Sequence, residues 1–155
     1  MNKRMKIILR VNEQAERFYD KSEELGTLAA FSFREERGRE RQQRHRAQMT
    51  GLENIAETTL KATDVLDYIK KQIARQPGWT KTYQGKSFGE SLKRYIENNL
   101  KADVAKVCTS VGIGDETDED QRDRQQIYLN LIRQFIRQVV VQYEYHISLS
   151  ERVSS

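Results

Sequence analysis

The chain has 155 residues, 37% of them apolar and 32% charged, with a net charge of +4. That is enough to bury one core and too little for two, and a mean hydropathy of −0.83 suits a thin helical bundle or a subunit that completes its core on a partner. One proline and eight glycines argue against a disordered or β-rich chain, and the lone Cys108 excludes an internal disulfide, so nothing requires an oxidising compartment.

The opening stretch MNKRMKIILRV is basic and then briefly apolar, but Ile7 to Leu9 is far too short for a signal-peptide core. No run approaches bilayer-spanning length. A cytoplasmic protein without membrane contact is therefore expected. Apolar residues recur at Val11, Ala15, Phe18, Leu25 and Ala29, with Ser22 filling the gap, which predicts a first helix over about residues 6–33.

Residues 34–49 follow as a basic connector or an extension of that helix. Here Arg34, Arg37, Arg39, Arg41, Arg44 and Arg46 outweigh Glu35, Glu36 and Glu40. If the helix continues through Gly38, then Arg34, Arg37, Arg41 and Arg44 share one face. Glu40 and Arg44 have the spacing of a favourable i, i+4 pair, as do Glu35 and Arg39.

Thr50 and Glu53 have capping-box spacing and predict the start of a second helix over 50–75. Its seam is Leu52, Ile55, Thr59, Ala62, Leu66, Ile69 and Ile73, alternating steps of three and four, which implies packing along another helix. Pro77-Gly78 stops it. The polar connection Gln76 to Ser87 holds Trp79 and Tyr83 beside Lys81 and Lys86. Ser87 and Glu90, a second capping-box pair, open a third helix over 88–111 that presents Phe88, Leu92, Ile96, Leu100, Val104, Val107 and Val111, and Gly112 and Gly114 end it.

Six acids between Asp115 and Arg124 suit the positive end of a fourth helix, over 119–148. That helix is apolar over most of its circumference, from Ile127 through Tyr143, and is expected to be central. The expected fold is all-α, a single-domain bundle of four main helices.

No catalytic motif survives inspection, and a non-enzymatic role is expected. Gly85-Lys86-Ser87 before a helix has the form of a phosphate loop, but the preceding glycine, Gly78, is too far away and no strand leads in. Arg39 and His45 fit the arginine–histidine spacing of the helical HEPN ribonucleases, where the arginine would position phosphate and the histidine act on the 2′-hydroxyl. Glu40 departs from the residue types that family places after its arginine. His146 has no second ligand at metal spacing, and the acidic run lacks the alternation of an EF-hand loop, so neither a metal nor a cofactor is expected. Cys108 fits a small core residue.

The basic run therefore leads. Arginine's planar fork suits phosphate oxygens, so Arg34, Arg37, Arg41 and Arg44 are the expected backbone contacts. Trp79 and Tyr83, with Lys81 and Lys86, are expected to offer a stacking platform for single-stranded bases. The alternatives are a scaffold or adaptor associating through the Leu52–Ile73 seam and the HEPN-like ribonuclease.

Three stretches, GLENIAETTLKATDVLDYIKKQ (51–72), FGESLKRYIENNLKADVAKVC (88–108) and IYLNLIRQFIRQVVVQYEY (127–145), resemble the small all-helical subunits of type III CRISPR effectors. The resemblance covers about residues 50–146. It implies a non-catalytic subunit, partnered by other protein subunits and by further copies of itself, that holds target or guide RNA on basic helix faces.

Overall fold

The computed structural model describes residues 1–34 and 38–154, the side chains of 151–154 excepted. It is helical throughout apart from one small hairpin, in keeping with the all-α expectation. The elements are α1 (Lys3–Arg17), α2 (Tyr19–Arg34), α3 (Arg39–Thr58), α4 (Ala62–Arg75), a single turn α5 (Pro77–Thr80), β1 (Thr82–Tyr83), β2 (Lys86–Ser87), α6 (Phe88–Arg94), a π-helical segment (Tyr95–Leu100), α7 (Lys101–Val111) and α8 (Asp118–Ser154).

The 37-residue α8 is the axis and spans roughly 55 Å at 1.5 Å per residue. It touches α1, α2, α3, α4, α7 and the π-helical segment. Leu131, Ile132, Phe135, Ile136 and Val139 are completely buried along it. Its entry is a reciprocal cap that the sequence reading passed over. The Asp120 N–H donates to Thr117 Oγ1 (3.0 Å), while the Thr117 N–H donates to Asp120 Oδ2 (3.4 Å).

Three of the expected helices are divided. The first breaks at Phe18, whose ring packs edge-on against Phe135 at 5.3 Å while the helix resumes at Tyr19. The second is displaced and split. Thr50 lies well inside α3, so it caps nothing; Gly51 is there because Tyr68 crosses it, its hydroxyl donating to the Gln48 carbonyl at 2.6 Å. A Cβ on Gly51 would lie 2.5 Å from that hydroxyl.

The expected seam continues across a real break at Thr59–Lys61. There the Thr59 hydroxyl donates to Asp64 at 2.5 Å and accepts from the Lys61 N–H at 3.1 Å. Arg133 supplies what the end of α3 lacks: Nε donates to the Ala56 carbonyl (2.8 Å) and a terminal N–H to that of Thr59 (2.7 Å). Of the seam residues, Leu52, Thr59 and Ile69 are buried in the chain's own core, and Ile55, Ala62, Leu66 and Ile73 are half-buried.

The third helix runs from Phe88 to Val111 as expected, but through the π-helical segment. Within it Tyr95 stacks on Phe135 at 4.6 Å, and the Ile96 carbonyl accepts from the Tyr128 hydroxyl at 2.9 Å. Burial pushes that Tyr128 hydroxyl up to about 12. Gly112, at φ 76°, closes the helix: the Ile113 N–H reaches the Cys108 carbonyl at 2.9 Å. Cys108 is fully buried, and burial pushes its thiol up, as for a core residue.

Asp103 in the first turn of α7 is 7% exposed. Burial pushes its carboxyl up, against the opposing pull of Lys106, 3.8 Å away, and of Gln14. A carboxyl raised in the folded state binds its proton more tightly there than in the unfolded chain. Stability therefore rises as pH falls through the folded value towards the ordinary range near ~4, and the burden is fully present above it. Asp103→Asn should raise the neutral-pH Tm and remove that part of the pH dependence; a lower Tm at pH 7 would mean that Lys106 and Gln14 outweigh the desolvation.

Candidate nucleic-acid interface

The basic region is built on a joint between α2 and α3. Phe33 near the end of α2 is completely buried, with His45 stacked on it at 4.3 Å and 19°. Trp79, Phe88 and Tyr143 surround the same ring at 6.2, 5.9 and 5.7 Å. Gln42 donates to the Phe33 carbonyl at 3.0 Å, tying the first turn of α3 to the last of α2. Between the two helices Gly38 sits at φ 120°, ψ 139°, backbone open essentially only to glycine, and it is the N-cap of α3.

The helix therefore does not continue through Gly38, and the expected single arginine face is broken. Arg37, with Glu35 and Glu36, lies outside the described residues. Arg41 and Arg44 share one face of α3, three residues apart, and both are exposed. Among the described residues no carboxylate pairs with Arg39, Arg41 or Arg44; the Glu40–Arg44 pair expected from spacing is not formed. Arg46 and Thr50, further along, line a cavity of about 290 Å³ with Tyr143, Glu144 and Ile147 of α8.

Arg34 closes α2, where a cation complements the helix dipole. Its guanidinium lies over the Phe31 ring at 4.8 Å, and Phe31 is stacked on Tyr83 at 5.1 Å and 21°. Tyr83 belongs to the hairpin, in which Tyr83 pairs with Lys86 and the turn residues Gln84 (φ 53°) and Gly85 (φ 78°) are both left-handed. That is the signature of a tight two-residue turn. It also disposes of the phosphate-loop form, since Lys86 and Ser87 are strand residues. Lys86 pairs with Glu24 at 3.2 Å, and Lys21 approaches the same carboxylate at 3.4 Å. Burial alone would raise Glu24, but these two lysines bring it below its ordinary value. Lys81 is half-buried at the end of α5.

Trp79 requires correction. It is completely buried, its indole N–H donating to Gln48 Oε1 at 2.8 Å, and its ring packs on Phe88 at 4.9 Å. Pro77 begins the short turn that tucks it inward. It offers no face to a base. Tyr83 is half-buried, with its ring already stacked on Phe31.

Comparison with family models, with curated proteins and with solved structures returns no match to this chain.

The Arg39/His45 pair does not form an open site either. His45 is 2% exposed behind Phe33 and beside Gly78, whereas Arg39 is exposed. No imidazole edge is available to a 2′-hydroxyl. His146 is half-buried beside Tyr145, and among the described residues no group of three or more His, Cys, Asp or Glu could hold a metal ion. No helix among them is long and apolar enough to cross a membrane. What remains open in the expected site is the Arg41/Arg44 face of α3 and, beyond Gly38, the Arg34–Phe31–Tyr83 ladder with Lys86.

Proposed function

We propose that this protein is a non-catalytic helical subunit that holds the backbone of a nucleic acid, RNA in the first instance, inside a cytoplasmic ribonucleoprotein such as a type III CRISPR effector. The observation that carries the reading is the α3 entry, where Arg41 and Arg44 face solvent with no described carboxylate to neutralise them. A bidentate guanidinium is well matched to phosphate oxygens, and an unpaired one gives up no ion pair on binding. Arg34 adds a third cation across the joint, 4.8 Å over the Phe31 ring. Further subunits, or further copies, would complete the surface of a molecule this polar.

The test is binding of a fluorescent oligouridylate across a salt series. Three neutralised phosphates give a log–log slope of roughly −2 for a single strand, and Arg41→Ala with Arg44→Ala should make it less steep by about 1.4. Both residues are exposed, so the variant should keep its Tm. An affinity and slope unmoved by the double substitution would remove this face from the interface.

A further inference from the structure

A cleft of about 630 Å³ lies at the opposite end of α3 from its arginines. Four elements meet there: the α3–α4 connection, the start of α4, α7 and the N-terminal part of α8. Lys61, Lys101 and Arg124 stand around it, and none of the residues lining it is acidic. Val104, Ala105 and Tyr128 contribute the apolar part of its lining. Arg124 is braced, its Nε donating to the Gly114 carbonyl at 2.7 Å.

Leu60 stands at the edge of this cleft, 90% exposed. A single exposed leucine is ordinary, but this one is held out by a fixed loop. The buried Thr59 before it is bonded through its hydroxyl to Asp64 and Lys61 and through its carbonyl to Arg133. Such a side chain enters an interface with little backbone ordering left to lose.

We propose that this cleft docks a short acidic segment of a partner protein, with its carboxylates on Lys61, Lys101 and Arg124 and an apolar side chain against Leu60. Charge complementarity selects an anionic occupant. The apolar lining favours a peptide over a nucleic-acid strand: it is mainly aliphatic, from Leu60, Ala62, Val104 and Ala105, which have no π-face for a base. The cleft stands apart from Arg41 and Arg44 by about 21–26 Å along α3, so it serves a second partner and not the same contact.

Selection of a random dodecapeptide phage library against the full chain tests this. The enriched sequences should carry two or more acids flanking a large apolar residue. A synthetic peptide of the enriched sequence, followed by fluorescence anisotropy, should lose affinity about tenfold or more with Leu60→Ser, the scale of one buried leucine anchor. Lys61→Glu with Lys101→Glu should weaken it at least as much. All three positions are exposed, and an unchanged Tm shows that the fold is kept. Enrichment of uncharged sequences, or a peptide indifferent to these variants, overturns the proposal. So does an oligouridylate whose affinity falls with Lys61→Glu and Lys101→Glu, which would give the cleft to nucleic acid. Loss of oligouridylate binding confined to Arg41→Ala and Arg44→Ala leaves the two surfaces separate, as proposed.

Discussion

Gly26→Ala should lower the stability of this protein by about 2–3 kcal/mol, and its Tm by roughly 4–12 °C, although alanine is the better helix former. Gly26 is the point where α2 meets the backbone of α8. A Cβ there would lie 2.5 Å from Gln142 Cβ, 2.7 Å from the Val139 carbonyl oxygen and 2.9 Å from the Tyr143 nitrogen. Two of those three atoms are backbone and the third is attached to it, so no flexible side-chain end can yield. The helices must separate, and with them the packing of Leu25 and Ala29, both completely buried. The propensity gain of alanine over glycine, about 1 kcal/mol, is the smaller term. Thermal or urea denaturation measures the difference. Glu23→Ala, one turn earlier and exposed, should stay within about 0.5 kcal/mol. A Gly26→Ala protein as stable as the parent would mean that the contact between α2 and α8 is looser than described.

Phe33→Ala should be more damaging, at about 3–5 kcal/mol. Phe33 fills the centre of an aromatic cluster whose other members come from four different elements: His45 on α3, Trp79 on α5, Phe88 on α6 and Tyr143 on α8. Each well-placed ring pair adds about 0.5–1.5 kcal/mol beyond the area it buries. Truncation leaves a cavity that helices fixed on several sides can only partly close. The local effect should exceed the global one. Hydrogen exchange in residues 39–48 and 77–80 should accelerate more than in the middle of α8, because those segments are held to the core through this ring. Phe33→Leu, which keeps most of the volume, should retain most of the protection. Uniform acceleration along the chain would show that Phe33 is an ordinary core residue and not the anchor of the α3 entry.

Much of this architecture is readable from periodicity, and the misreadings have physical causes. Apolar spacing marked helical stretches along most of the chain but not over 39–49, where the first half of α3 is too polar to show one, and the crowded apolar face of residues 127–143 marked the central helix. The break at Thr59–Lys61 escaped because the seam keeps its alternating steps through Thr59, while the devices that end α3 are a hydroxyl and the distant Arg133. Thr50 read as a helix start because Glu53 follows at capping-box spacing, yet both lie inside α3, where Gly51 makes room for Tyr68. Trp79 read as exposed because its neighbours are polar; the Pro77 turn that buries it depends on Gln48, 31 residues earlier.

For the candidate site, the charges were visible and their partners were not. No spacing rule shows that Arg34 lies on Phe31 or that Gly38 divides the arginines between two helices. The cleft cations Lys61, Lys101 and Arg124 come from separate stretches and only the fold assembles them.

The wide turn at Tyr95–Leu100 bears on how the third helix tolerates change in length. Its inward residues Phe88, Leu92, Ile96, Leu100 and Val104 are four apart throughout. In a pure α-helix each such step overshoots a full turn by about 40°, so the stripe would wind well away from the core by Val104. The slacker π winding takes up the excess and keeps all five inside. Asn98 and Asn99, both exposed, are where the surplus residue sits most harmlessly. A chain shortened by one residue there would have inward spacings of four, four, three and four, which an ordinary α-helix carries on one face. The middle of a buried helix, normally the least forgiving place for a deletion, is here a place where the length of the chain can change by one without turning α7 away from its partners.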